Sequence, residues 1–83
     1  MMTPEQCRAA RGWLDWSQSD LATASNVGLS TVRDYEKGRR VPIANNLSAI
    51  RIALESQGII FLDQDKDGAW GLTFAKGITP KAS

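Results

Sequence analysis

Residues 16–42 read WSQSDLATASNVGLSTVRDYEKGRRVP, and this stretch decides the fold. Ser17 opens a short helix as its N-cap, and Asp20, three residues on, sits where a carboxylate meets the positive helix end. Leu21 and Ala22 supply the buried side of that helix. Ser25-Asn26-Val27-Gly28 then breaks the pattern: Asn26 tolerates a left-handed backbone, and Val27 is placed to plug the core between two helices. A second short helix runs from about Leu29 to Lys37, with Val32 and Tyr35 inward. Ser30, Arg33 and Asp34 are left on its outer face, and Gly38 ends it. Arg39-Arg40-Val41-Pro42 follows as a basic loop. Two short helices joined by a tight turn make a helix-turn-helix.

Upstream, Thr3-Pro4-Glu5-Gln6 is a helix start, with Thr3 as N-cap, Pro4 in the first turn and Gln6 closing a capping box. That helix runs to about Asp15 and carries Cys7, Ala10 and Leu14 at i, i+3 and i+7 on its buried stripe. Gly12 costs it up to ~1 kcal/mol relative to Ala, which packing must offset. Trp13 and Trp16 flank the connection to the next helix as packing residues, not as a platform for stacked bases. Downstream, a fourth helix spans about Ile43 to Gln57, with Leu47, Ile50 and Leu54 inward, and Gly58 terminates it. Ile59-Ile60-Phe61-Leu62 is a continuous apolar run, which suits a strand covered on both faces. Asp63 to Gly68 is turn chemistry, and Trp70-Gly71-Leu72-Thr73-Phe74 reads as a returning strand. The expected fold is mainly α: a four- to five-helix domain over residues 1–58, a short β-hairpin tail over 59–75 and a flexible C-terminus over 76–83.

Eighty-three residues, 42% hydrophobic and 23% charged, fit one globular domain with a small core. No apolar run reaches the ~18–20 residues that a membrane span needs, and no signal peptide precedes the first helix. The single Cys7 excludes an internal disulfide and reads as a small buried hydrophobe. These features predict a cytoplasmic protein. There is no histidine, which excludes His-based acid–base catalysis and His metal sites. With no Gly-rich phosphate loop or nucleophile elbow either, neither an enzyme nor a cofactor is expected. Asp63-Gln64-Asp65-Lys66-Asp67-Gly68 matches the opening of a calcium loop, but Phe74 stands where the bidentate Glu is required, so no metal is expected. Net charge is only +1, yet Arg33, Lys37, Arg39 and Arg40 place four of the ten basic residues within eight positions. A locally basic face can sit on a nearly neutral protein.

Ser17-Gln18-x-x-Leu21-Ala22, the turn, Thr31-Val32-x-x-Tyr35-Glu36-x-Gly38 and Pro42 resemble the Cro/repressor-type (XRE) helix-turn-helix family over about residues 5–57. Asn45-Asn46-Leu47, Ala53-Leu54-Glu55, Gly58 and Phe61 resemble a small controller-like subgroup with a C-terminal β tail. The resemblance implies that the second helix of the motif enters the major groove of double-stranded DNA, where each base pair shows a distinct donor and acceptor pattern. Arg33 is then the candidate for guanine O6 and N7, and Leu29 for a thymine methyl. Ser30 and Thr31 would reach a base or phosphate near the helix start. Asp34 either accepts from cytosine N4 or orients Arg33. Lys37, Arg39 and Arg40 would track phosphates. Gln18 matches a family position that binds phosphate and buttresses the reading helix. Asn45 and Asn46 either donate to another phosphate or cap the fourth helix. The resemblance also pairs Arg11 with Glu36 across the first and third helices. Gly28 departs from the Ser or Thr often found at that N-cap, which forfeits a hydroxyl.

The expected function is a sequence-specific transcriptional regulator, a repressor or controller, that binds an inverted-repeat operator as a homodimer. Leu54, Ile59, Ile60, Phe61, Leu62, Trp70, Leu72 and Phe74 would form the dimer interface, covering the strand edges. The two reading helices would then stand one DNA turn, ~34 Å, apart. Ser19 and Thr23 occupy outer positions where acids would favour contact with RNA polymerase, so repression is favoured, including repression of its own operon. The alternative is an adaptor that binds another regulator or a toxin through the apolar tail.

Overall fold

Local capping chemistry sets where the first two helices begin. The computed structural model describes residues 2–62 and the backbone of 71–74. In α1 (Pro4–Leu14), Thr3 Oγ1 accepts from the Gln6 amide at 3.1 Å and the Thr3 amide donates to Gln6 Oε1 at 2.9 Å. The helix ends at Asp15, which takes the left-handed conformation. In α2 (Gln18–Ser25), Ser17 and Asp20 exchange the same reciprocal pair of bonds, both at 2.9 Å. Each box satisfies amides that the first turn would otherwise leave without partners. Asn26 ends α2 in the left-handed region at φ 56°, as its residue type suggested.

α3 (Leu29–Glu36) starts from Gly28 with no side-chain cap, and Gly38 at φ +72° reverses the chain after it. α4 (Ala44–Glu55) is shorter at both ends than expected. Ile43, not an asparagine, holds its N-cap position, and no side chain caps it. The capping role offered for Asn45 and Asn46 is therefore corrected: both lie inside the helix, past the residue whose carbonyl begins the bonding ladder.

A strand, β1 (Ile59–Leu62), follows the left-handed Gly58. β2 (Gly71–Phe74) aligns antiparallel to it, with Ile59 opposite Phe74 and Leu62 opposite Gly71. The acidic turn, Trp70 and the C-terminal segment lie outside the described residues.

α4 lies against α2 and β1, while α1 packs on α3. The core between them holds Cys7, Ala10, Leu14, Leu21, Val27, Val32, Tyr35, Ile50 and Leu54. Burying a side chain such as Leu21 or Ile50 stabilises by about 1.5–3 kcal/mol. Val27 fills the inter-helix position expected of it. Met2, absent from the sequence expectation, also joins the core, and Tyr35 Oη donates to its carbonyl at 3.1 Å.

β1 corrects the sequence reading in one respect. Burial alternates along it, with Ile59 and Phe61 inward and Ile60 and Leu62 44% and 46% exposed. An all-apolar run carries no period, so the sequence could not distinguish a strand covered on one face from one covered on two.

Candidate nucleic-acid interface

The orientation of α3 is fixed from its inner side by one carboxylate. Glu36 is only 1% exposed, and Arg11 grips it with two bonds, Nε to Oε2 and Nη2 to Oε1, both 2.7 Å. Gln18 Nε2 donates to Oε1 at 3.1 Å, and the Cys7 thiol donates to Oε2 at 3.2 Å. Arg11 also donates to the Trp16 carbonyl at 2.9 Å, and Arg8 donates to the main-chain carbonyl of Glu36. One side chain thus joins α1, α2 and α3. The Arg11–Glu36 pair implied by the family resemblance is present and bidentate, the stronger geometry for a guanidinium and carboxylate.

Ionisation follows from this packing. Burial works against the Glu36 charge, but bonds from Arg11, Gln18 and Cys7 overcome it and hold the carboxyl below its ordinary range. The bond to Glu36 raises Arg11 in turn. Burial, reinforced by the adjacent Glu36 carboxylate, pushes the Cys7 thiol up, so it stays protonated and serves as a donor. Tyr35 is pushed up to about 12, first by burial and then by nearby negative charge. Among the described residues no buried side-chain nitrogen or oxygen lacks a partner.

The outer side of α3 is the reverse. Leu29 (38%), Ser30 and Arg33 are exposed, as are Lys37, Arg39 and Arg40 beyond the helix end. Lys37 is the C-cap, so its charge sits at the negative helix end. Thr31 and Asp34 are half-buried. Ser30, Thr31 and Asp34 line a hollow of about 70 Å³ together with Arg40 and Pro42. Gln18 buttresses α3 as the resemblance implied, with its amide directed at Glu36. Asn46 is half-buried in the first turn of α4 and stands apart from that hollow.

The sequence reading missed three parts of this arrangement. The sequence pattern presents Cys7 as a small buried hydrophobe, yet its thiol also completes the Glu36 shell. Arg8 carries no motif signal of its own, although it follows Cys7 and precedes Arg11 on one helix, a spacing that brings all three to α3. Gln6 closes its capping box as expected, and its Nε2 also donates to the Leu62 carbonyl at 3.1 Å.

Leu54, Ile59 and Phe61, expected at a dimer interface, are buried in the core of their own chain. Leu54 points between α4 and its neighbours because it continues the Leu47–Ile50 stripe, so only Ile60 and Leu62 of the 54–62 set present substantial surface. Trp70 lies outside the described residues, and only the backbone of Leu72 and Phe74 is described.

Among the described residues no helix is long and apolar enough to cross a membrane, and no group of three or more His, Cys, Asp or Glu is placed to hold a metal ion. A search of curated proteins finds no match. A helix-turn-helix family model matches residues 8–57, more than half of the chain and all of α2, the turn and α3. The chain therefore belongs to the XRE-type helix-turn-helix family of DNA-binding transcription regulators.

Proposed function

We propose that the protein is a sequence-specific repressor or controller that binds an inverted-repeat operator as a homodimer and regulates its own operon among others. The observation that carries this reading is the division of labour across α3. Its inner side is locked by the Glu36 cluster, while Leu29, Ser30 and Arg33 stand exposed beside Lys37, Arg39 and Arg40. A rigid helix with an exposed polar face and flanking cations suits a major groove bordered by phosphates. In this reading Leu29, Ser30, Arg33 and Asp34 meet bases, and Gln18, Thr31, Lys37, Arg39, Arg40 and Asn46 meet the backbone.

The dimer is proposed to form through the β tail. Ile60 and Leu62 offer apolar surface that a second copy would cover. Selection of bound DNA from a random library tests the reading as a whole. A palindromic consensus with half-sites one helical turn apart is the expected outcome, and sedimentation should report a dimer at tens of micromolar. A library that yields no consensus at low salt would overturn the DNA-reading role. It would favour the adaptor reading, in which the same exposed Ile60 and Leu62 face another protein.

A further inference from the structure

We infer that Asp34 and Arg40 read one C·G base pair together, the carboxylate accepting from the cytosine amino group and the guanidinium donating to guanine O6 and N7. The inference rests on the proposed sequence-selective DNA binding and changes the job of Arg40 from phosphate contact to base reading.

Ser30, Thr31 and Asp34 from α3 and Arg40 and Pro42 from the following loop line a single hollow of about 70 Å³. The loop is held there by its own backbone. Gly38 at φ +72° turns the chain back, and the Arg39 amide donates to the Asp34 carbonyl at 2.9 Å. Pro42 fixes its own φ two residues beyond Arg40. Arg40 is therefore tethered on both sides next to the helical turn that carries Asp34, whereas Arg33 does not line the hollow. Neither the Asp34 carboxylate nor the Arg40 guanidinium is hydrogen-bonded or ion-paired to any described residue. An acceptor from the helix and a forked donor from the following loop thus belong to residues that line one hollow, and neither side chain is bonded to the other.

The hollow has about the volume of two water molecules, enough for exocyclic atoms at a base edge and too small for a whole base. Among base-pair edges, C·G suits this arrangement best. Its only major-groove donor, cytosine N4, lies at one end, with guanine O6 and N7 together at the other. In A·T the N6 donor is flanked by acceptors on both sides, N7 and thymine O4, which would repel a carboxylate. The two outcomes left open for Asp34 by the sequence are thereby separated: it faces cytosine beside Arg40 and does not orient Arg33.

Random-library selection with the full chain, its Asp34→Ala and Arg40→Ala variants and the double variant tests this. All four should share one thermal midpoint, because neither side chain is in the core. The native chain should select C·G at one position of each half-site by about tenfold or more. Each single variant should relax that same position to within about twofold, and the double variant should relax it no further, leaving other positions unchanged. Relaxation at two different positions would overturn the inference. So would an Arg40→Ala variant that binds every sequence more weakly, with a shallower salt slope and intact preferences, since that is the signature of a phosphate contact. Failure of the native chain to select any sequence would instead remove the regulator reading, and this inference with it.

Discussion

On the inward face of α3, Val32, Tyr35 and Glu36 are buried and every buried side-chain polar group is bonded; on the outward face, the Ser30 and Arg33 side chains are exposed and make no hydrogen bond or ion pair to any described residue. The contrast lies within a helix of eight residues. The side-chain bonds that hold the helix to its neighbours are concentrated on one side, among the described residues. Stability and recognition are therefore separable by position around the helix axis, and substitutions on the two faces should move different observables.

The largest effect is expected at Glu36. Glu36→Ala leaves Arg11, Gln18 and Cys7 without their acceptor and should destabilise the fold by about 3–5 kcal/mol, the cost of stranding a partly buried charge. Thermal or urea unfolding measures it, and a loss below about 1 kcal/mol would show that the inner face does not hold the helix. The Glu36 carboxyl is held below its ordinary 4.5, so its contribution is present above that pH and disappears as pH falls through the lowered folded value. Acid unfolding of Glu36→Gln should lack that segment of the curve.

Tyr35 sharpens the same side of the contrast. It is the only tyrosine in the chain, so tyrosinate absorbance reports it alone. Its folded value of about 12 lies above its ordinary 10.0, so its contribution to stability is full below pH 10 and is lost as pH rises toward 12. A spectroscopic midpoint near 10 with the fold intact would mean that the ring is not sealed in the core.

Arg33→Ala addresses the outward face. Stability should change by no more than about 0.5 kcal/mol, while preference at one base position falls by about 1–3 kcal/mol in a competition assay. A comparable loss of stability would erase the distinction between the two faces. The smallest effect concerns the entrance to the helix. Gly28 has φ −61°, and an added Cβ would lie 3.8 Å from its nearest neighbour, Thr31 Oγ1. Gly28→Ser should therefore restore the missing cap and stabilise by a few tenths of a kcal/mol, read as a small rise in Tm.

What the sequence made legible was mainly local. Thr3 with Gln6, Ser17 with Asp20, Asn26 and Gly38 are short-range devices whose partners lie within a few residues, and each appears where its chemistry suggested. The periodic stripes through Cys7, Ala10 and Leu14 and through Ile50 and Leu54 were equally readable. What escaped depends on distant partners. Nothing near Cys7 announces that its thiol will meet a carboxylate 29 residues away. The uniform apolarity of β1 hid which of its residues turn inward, and with them which could face another molecule. Asn45 and Asn46 misled because their residue types favour caps, whereas the helix boundary is set at Ile43, directly after Pro42. The candidate site was legible as a set of residue types on one helical face. The shared hollow of Asp34 and Arg40 was not, because it requires the loop to fold back against its own helix.

Gln6 spends its two amide ends in different parts of the molecule, Oε1 on the Thr3 amide at the start of α1 and Nε2 on the last carbonyl of β1. The opening of the first helix and the end of the strand, 56 residues apart, therefore share one side chain. Release of Leu62 would remove one of the bonds that position the Gln6 amide and so weaken its hold on the Thr3 amide. In native-state hydrogen exchange the first turn of α1 should consequently open together with the strand as one cooperative unit, instead of fraying independently as helix ends usually do.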